Sequence, residues 1–298
     1  MIPKLIAKGN KIYALSRHPP ASAENLIPIV GDITKLGLGL EKVPRGISAV
    51  YHLAAIHRLS ENNAEEIEHT NVDGTQSVID FCLRHRIPKL YFCSTAYTQG
   101  RNTYERTKAE CERMVLESGI SEVTIFKPSI IMGTKSNFYP GHFSQFAVLL
   151  VKIHKRAEIV RRKVEGTLRL PVIEPVFRIR GNTDSKLNLV PIDAVVDSMS
   201  RFKKKGVYWL TNPQPPTLGE LAKWLGEFIM VDIRVIPEEF KQTPIEAQFE
   251  RLAAAFKPYL GGDDFQSDLE DCRPAIDKRF IQWTVMSTLK RLTGVGEM

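Results

Sequence analysis

The chain has no apolar run approaching the roughly 18 residues of a membrane span, so an integral membrane segment is not expected. Its opening, MIPKLIAKGNK, lacks the long apolar core and small-residue cleavage site of a secretory signal. Cysteine is scarce. Cys82, Cys93, Cys111 and Cys272 form no pair at metal-ligand spacing, and scattered thiols of this kind are expected to stay reduced in a cytoplasmic protein. No carboxylate or cysteine spacing around His52 or His57 builds a metal site, and both histidines are expected to be structural. Repeats and low-complexity tracts are also missing. A net charge of +7 on 298 residues suits a phosphate-bearing ligand but is no nucleic-acid signature. With 43% hydrophobic and 25% charged residues, what remains is an ordinary globular chain, long enough for one large domain with a smaller lobe or for two domains.

Strand-like and helix-like segments alternate through the first half. A short helical piece, PKLIAKGN, ends in the turn signal Gly9-Asn10 and leads into the strand KIYALSR (11–17). NLIPIVGD (25–32) and ISAVYHLAA (47–55) read as the next two strands. A long helix over about 62–86 carries Val72, Val78, Ile79 and Cys82 on its apolar side, with Gly74 where something must approach closely. KLYFCST (89–95), a helix over 104–118 and the apolar strand VTIFKPSIIMG (123–133) follow. This rhythm predicts a parallel sheet covered on both faces.

The second half is less regular. HFSQFAVLLVKIHKR is helix-like, a pair of strands is expected around 167–180, and Pro191 and Asp193 look like a helix start. GVYWLTN (206–212) returns as a strand. Thr217 and Glu220 have the spacing of a capping box, ahead of an apolar stripe of Leu221, Trp224, Leu225 and Ile229. Residues 232–298 read as mainly helical. The run KIHKRAEIVRRK (152–163) is a basic helix face; as a functional element it would meet an acidic or phosphate-bearing substrate arm first and a membrane surface second.

The chemistry is expected at Tyr104-Glu105-Arg106-Thr107-Lys108, read together with Ser94-Thr95. On a helix Tyr104 and Lys108 are an i, i+4 pair on one face. A phenol with a pKa of about 10 is a poor acid or base near neutrality, and a neighbouring cation lowers that value by stabilising the phenolate. A tuned Tyr104 can then exchange a proton with an oxygen whose carbon exchanges hydride, while Thr95 or Ser94 holds the oxygen. Such a pair also arises by chance and is then a solvated surface contact. Its context raises its significance, because KLYFCST delivers the two hydroxyls at the carboxyl end of a buried parallel strand, where open α/β sheets place their sites.

Several stretches in order carry a resemblance: GDIT (31–34), HLAA (52–55), NVDGT (71–75), FCST before YERTK, KPSIIMG, and VPID (190–193). The chain resembles the extended short-chain dehydrogenase/reductases, the NAD(P)-dependent epimerase, dehydratase and reductase group, from about residue 5 to 230. GDITKLGLGL and GVYWLTNPQPPTLGEL look most like its thioester and fatty-acyl reductase branch. The resemblance implies a Rossmann-type doubly wound parallel sheet with a smaller C-terminal substrate lobe. It divides the chain into a dinucleotide-binding domain (1–136 and 187–230) and a substrate lobe (137–186 and 231–298). Tyr104 would be the catalytic acid/base, Lys108 its partner and the anchor for the nicotinamide ribose, and Thr95 the substrate-oxygen donor with Ser94 as runner-up. Asp32 and Ile33 would flank the adenine, Leu53, Ala54 and Ala55 would line the central portion of the cofactor, and Asn71 would brace the third strand. Lys127, Pro128 and Ser129 would line the nicotinamide pocket.

Arg17 stands where an acidic residue would bind a ribose 2'-hydroxyl, which points to NADP, with NAD as the other choice. Read without the resemblance, Asp32 caps a turn and Arg17 is a solvated strand-end charge. The expected partners are a small-molecule substrate and a second copy of the chain, since members of this group often pair through the helices after the Ser/Thr strand and the Tyr motif. Within the class, an acyl-thioester, aldehyde or ketone reductase competes with a sugar-nucleotide epimerase or dehydratase.

One departure stands out. Members of this group open with a strand and a turn of the form G-x-x-G-x-x-G whose N–H groups cradle the pyrophosphate, and no such turn occurs here. Met1 falls inside what should be the first helix. Two readings follow: a longer cellular chain, which the retained Tyr-Lys pair favours, or a shortened product acting as a non-catalytic binding or scaffold subunit.

Overall fold

The computed structural model describes residues 1–59, 61, 63–139, 141–168, 176–202 and 204–293. In chain order the elements are α1 (Ile2–Ile6), β1 (Ile12–Ser16), β2 (Leu26–Val30), a 3-10 turn (Leu36–Gly39), β3 (Val50–His52), α2 (Ala64–Glu68), a π-helical turn (His69–Asp73), α3 (Gly74–Arg84), β4 (Lys89–Cys93), α4 (Thr103–Glu117) and β5 (Glu122–Pro128). There follow β6 (Ile130–Met132), α5 (His142–Leu168), β7 (Val176–Arg180), β8 (Leu189–Pro191), α6 (Ile192–Arg201), β9 (Gly206–Leu210), α7 (Leu218–Ile229), β10 (Asp232–Ile236), α8 (Pro244–Leu252), a second 3-10 turn (Ala254–Tyr259) and α9 (Lys278–Thr293). Two compact units result, one of Met1–Ser129 with Val195–Leu210, the other of Ile130–Ala194 with Thr211–Met298.

The first unit is built on parallel strands with helices between them, the Rossmann-like α/β architecture that the alternation predicts. β3, β4, β5 and β9 lie side by side in that order, with Val50 opposite Leu90, Lys89 opposite Glu122 and Thr124 opposite Gly206. Leu90, Tyr91 and Phe92 of β4 are all buried, as a strand covered on both faces requires. β1 and β2 form a second parallel pair, Ile12 opposite Leu26. Among the described residues β1 and β3 each pair on one side only, so the sheet is in two hydrogen-bonded parts. A doubly wound sheet that lacks the strand between these two leaves just such open edges. The exposure follows: none of the residues of β1 is fully buried.

Helix α3 closes this unit. Val78, Ile79, Phe81 and Cys82 join Leu90, Phe92, Ile125, Cys111 and Val115 in one apolar core, and each large side chain so buried contributes roughly 1.5–3 kcal/mol. Gly74 is the point of close approach expected from the sequence, and Ile33 is what approaches: a Cβ at Gly74 would lie 2.7 Å from Ile33 Cδ1. The helix expected over 62–86 is interrupted by the π-helical turn, so its backbone carbonyls there are free for side-chain donors.

The second unit has two short parallel pairs, β6 with β8 and β7 with β10. Its core includes edge-to-face contacts of Phe249 with Phe146 and Phe177, and of Phe146 with Phe256. Arg178 and the buried Glu246 form an ion pair at 2.8 Å. The capping box of Thr217 and Glu220 is present, and Leu221 and Leu225 bury the apolar stripe of α7. Residues 123–133 differ from expectation: they form two strands, because the chain changes partner at Ser129, whose N–H goes to Leu210 O while that of Ile130 goes to Asn188 O. Residues 232–298 are not all helical, since Asp232–Ile236 pairs with β7. Of the two strands expected over 167–180 one is β7, and 169–175 lie outside the described residues. The basic run 152–163 is helical within α5, and several of its side chains, Arg156 and Arg161 included, also lie outside them. Among the described residues no helix is long and apolar enough to cross a membrane.

Candidate active site

Strand β4 ends at Cys93, but its neighbour still holds the chain. Ser94 N donates to Phe126 O and Ala96 N to Pro128 O, both at 2.8 Å, so Ser94 and Thr95 leave the sheet in fixed positions. The loop that follows is tied to the next helix by Arg101, whose Nε lies 3.0 Å from the fully buried Glu105 and whose guanidinium sits over the Tyr97 ring at 5.3 Å. Asn102 caps α4 by accepting from Glu105 N at 2.9 Å, and Glu61 accepts from Thr103 N at 2.9 Å. These caps start the helix at Thr103 and place the half-buried Tyr104 in its first turn.

One turn further on, Lys108 is buried. Its Nζ donates to Cys93 O at 2.6 Å and lies 4.2 Å from the centre of the Phe92 ring. Burial pushes its pKa down, while Cys93, Cys111 and Glu112 act in the other direction. On β3, burial and then the Lys108 charge hold His52 at a pKa of about 3, so its imidazole is neutral. Thr75 Oγ1 donates to Asn71 O at 2.6 Å and therefore accepts from His52 Nε2 at 3.0 Å, which fixes the tautomer.

Asn71 sits in the π-helical turn and is buried. Its Oδ1 accepts from Ile56 N at 2.8 Å, and its Nδ2 donates to Ile56 O and to Thr107 Oγ1, each at 3.0 Å. It thus joins the segment after β3 to the residue before Lys108. Thr95, also buried, accepts from Tyr97 N at 3.2 Å and donates to Pro128 O at 3.5 Å. The Ser94 hydroxyl donates to Glu112. Lys127 Nζ donates to both Glu112 oxygens, at 2.6 and 2.8 Å, rather than standing open to a ligand. Pro128 is buried as the last residue of β5, and Ser129 Oγ is buried with no hydrogen-bond partner among the described residues.

The remaining expected residues lie at the ends of the first three strands. Asp32 Oδ1 accepts from Thr34 N at 3.0 Å and from Thr34 Oγ1 at 2.9 Å, and these bonds, aided by Arg17 and Lys35, hold its carboxyl below the usual range. Arg17 is exposed at the end of β1. Ile33 packs on Gly74. Leu53 and Ala54 are exposed and Ala55 half-buried just beyond β3. Glu61, Glu105, Thr107 and Glu112 were not foreseen. Only Glu112 had a signal, its i+4 spacing from Lys108 on the face that carries Tyr104.

The sequence profile of the NAD-binding male sterility protein family matches residues 6–102 and 98–199. The chain belongs to this family. As a male sterility-type protein it is one of the extended short-chain dehydrogenase/reductases, whose other members it resembles in fold and in part in sequence. It is 30% identical over 95 residues to short-chain dehydrogenase/reductase family 42E member 1 of Danio rerio, a match covering 30% of this chain and 24% of that protein, about a quarter of the relative's length. Among solved structures, a thiolation-reductase di-domain from an archaeal non-ribosomal peptide synthetase aligns with a TM-score of 0.66 at 16% identity, over 98% of this chain and 87% of the other. The terminal R domain of the myxalamid PKS-NRPS pathway aligns at 0.63 and 20% identity, over 98% and 88%. A Thermotoga maritima UDP-glucose 4-epimerase aligns at 0.63 and 14% identity, over 98% and 94%. These likenesses show the fold the male sterility-type chain shares with reductases and epimerases alike.

Proposed function

We propose that the protein is an NAD(P)-dependent reductase in which Tyr104 gives a proton to a substrate carbonyl oxygen. The observation that carries this reading is Lys108: a buried ammonium fixed on Cys93 O, one turn from Tyr104, beside the hydroxyl of Thr95. Such a cation stabilises phenolate more than phenol, because a buried charge acts in a medium that screens poorly. Tyr104 then surrenders its proton as the carbonyl oxygen gains charge, and Thr95 orients that oxygen. Ser94 is the weaker candidate for that task, since its proton is committed to Glu112.

The residues present suit a dinucleotide at its nicotinamide end. Ser129 offers a buried hydroxyl that nothing in the described protein satisfies, a group that a polar ligand would pair. When bound, the dinucleotide supplies the hydride. Tyr104 and Lys108 would hold its ribose, Pro128 and Ser129 its nicotinamide, Leu53, Ala54 and Ala55 its centre, and Asp32 and Ile33 its adenine. Lys127 would contribute through the shape of β5, its ammonium being paired with Glu112. The exposed Arg17 favours a 2'-phosphate and hence NADP. The first unit would carry this chemistry and the second would select the substrate, an acyl thioester, aldehyde or ketone.

The test is consumption of NADPH, followed by the absorbance of reduced nicotinamide, with acyl-CoA, aldehyde and ketone substrates. Turnover that disappears in Tyr104→Phe supports the assignment; turnover unchanged by that substitution defeats it. A second reading, a nucleotide-sugar epimerase, draws on the likeness to the UDP-glucose 4-epimerase. Interconversion of UDP-sugars, with no response to acyl-CoA, would favour it.

A further inference from the structure

The reading above leaves a buried pair of charges without a task. Tyr104, Lys108 and Glu112 are spaced i, i+4, i+8 on α4, so one helix face carries a phenol, a cation and an anion in succession. Glu112 accepts from Ser94 Oγ, and both its oxygens accept from Lys127 Nζ on β5. Lys127 also donates to Thr98 Oγ1 at 3.2 Å and lies 4.8 Å from the centre of the Trp209 ring. The side chains of Lys127 and Glu112 are only 5% and 17% exposed.

Stability alone does not account for this pair, because apolar residues of similar volume commonly do as well as a buried ion pair. Its consequence lies in what surrounds Lys108. His52 faces Lys108 from β3 and is neutral. Cys93 on β4 and Cys111 on α4 are thiols whose pKa burial pushes up, so they carry no charge. Glu112 is therefore the anion placed to act on the Lys108 ammonium. Left unpaired, it would be drawn to that ammonium and would cancel the charge that makes Tyr104 acidic.

We propose that Lys127 is a positioning residue: by occupying both oxygens of Glu112 it keeps that carboxylate from neutralising Lys108, so the Lys108 charge remains directed at the Tyr104 phenol. This rests on Tyr104 and Lys108 being the working pair. Removing Lys127 frees Glu112 and makes the phenol a weaker acid. Removing the Glu112 charge leaves two cations near the phenol and makes it a stronger one. Removing both charges restores the single Lys108 cation.

The experiment reads Tyr104 ionisation directly, by ultraviolet difference titration of Lys127→Met, Glu112→Gln, the double variant and the parent. Each is paired with its Tyr104→Phe counterpart so that the other tyrosines cancel. The expected result is an upward shift of about one pH unit in Lys127→Met, tenfold in proton affinity, a downward shift in Glu112→Gln, and a parental value in the double variant. Shifts of the same sign in the two single variants, or a double variant that keeps the Lys127→Met shift, would overturn the proposal. A merely structural pair would change unfolding temperature in all variants without opposite shifts. Should Lys127→Met not fold, Glu112→Gln decides the matter, since an unchanged or raised phenol pKa there is fatal. The titration needs no turnover, so a parent that fails to oxidise NADPH sinks the proposed function while leaving this inference to its own readout.

Discussion

Asn71 and Thr107, 36 positions apart in the chain, are joined by a 3.0 Å hydrogen bond from the amide Nδ2 to the hydroxyl oxygen. Through it the segment after β3 and the helix that carries Tyr104 and Lys108 hold each other in place. The same side chain makes two bonds to the backbone of Ile56, so its loss would strand a buried donor and a buried carbonyl.

Asn71→Ala is expected to destabilise the protein by about 2–4 kcal/mol, because each buried polar group left unpaired costs roughly 1–3 kcal/mol. Urea unfolding measures this. A cost below about 0.5 kcal/mol would mean that the network is dispensable.

Lys108→Met should remove most turnover while leaving the fold in place, since the methionine keeps the apolar stem of the lysine but not the charge beside Tyr104. Steady-state kinetics with NADPH check it, with a fall of a hundredfold or more in kcat expected for loss of general-acid assistance. Turnover within a factor of about three of the parent would separate Lys108 from the chemistry.

His52 makes stability depend on pH. Its folded pKa, about 3, lies below the ordinary 6.5, so between those values the unfolded chain takes up a proton that the folded chain refuses. Stability from this group is complete above 6.5 and declines as pH falls through the window, by up to about 1.4 kcal/mol per pH unit. His52→Asn should flatten the acid limb of a plot of unfolding free energy against pH. An unchanged slope between pH 4 and 6 would assign the acid sensitivity elsewhere.

Gly74 admits no side chain without moving Ile33, whose Cδ1 lies 2.7 Å from where a Cβ would sit. Gly74→Ala is expected to cost about 1–3 kcal/mol through overpacking. Combining it with Ile33→Val, which removes that terminal methyl, should recover part of the loss. Strictly additive effects in the two-variant cycle would contradict the contact.

Much of the fold was legible in the residues. Apolar runs such as KLYFC and EVTIF read as buried strands because a parallel strand covered on both faces needs no polar positions. The Thr217 and Glu220 spacing marked the start of α7 because a capping box is satisfied within a few residues. Elements whose definition depends on a distant partner were not legible. β10 becomes a strand by pairing with β7, and the run 123–133 becomes two strands because Ser129 and Ile130 bond to different segments.

The site divides in the same way. The sequence determined which groups could do chemistry, since Tyr104 and Lys108 meet by helical period alone and Thr95 follows from the end of a strand. Only the tertiary structure decided their electrical state. Burying Lys108 on Cys93 O, keeping His52 neutral, and pairing Lys127 with Glu112 all depend on which side chains β3, β4, β5 and α4 bring together. Charge interactions of this kind are set by distance and dielectric, and the order of residues along a chain specifies neither until the chain has folded.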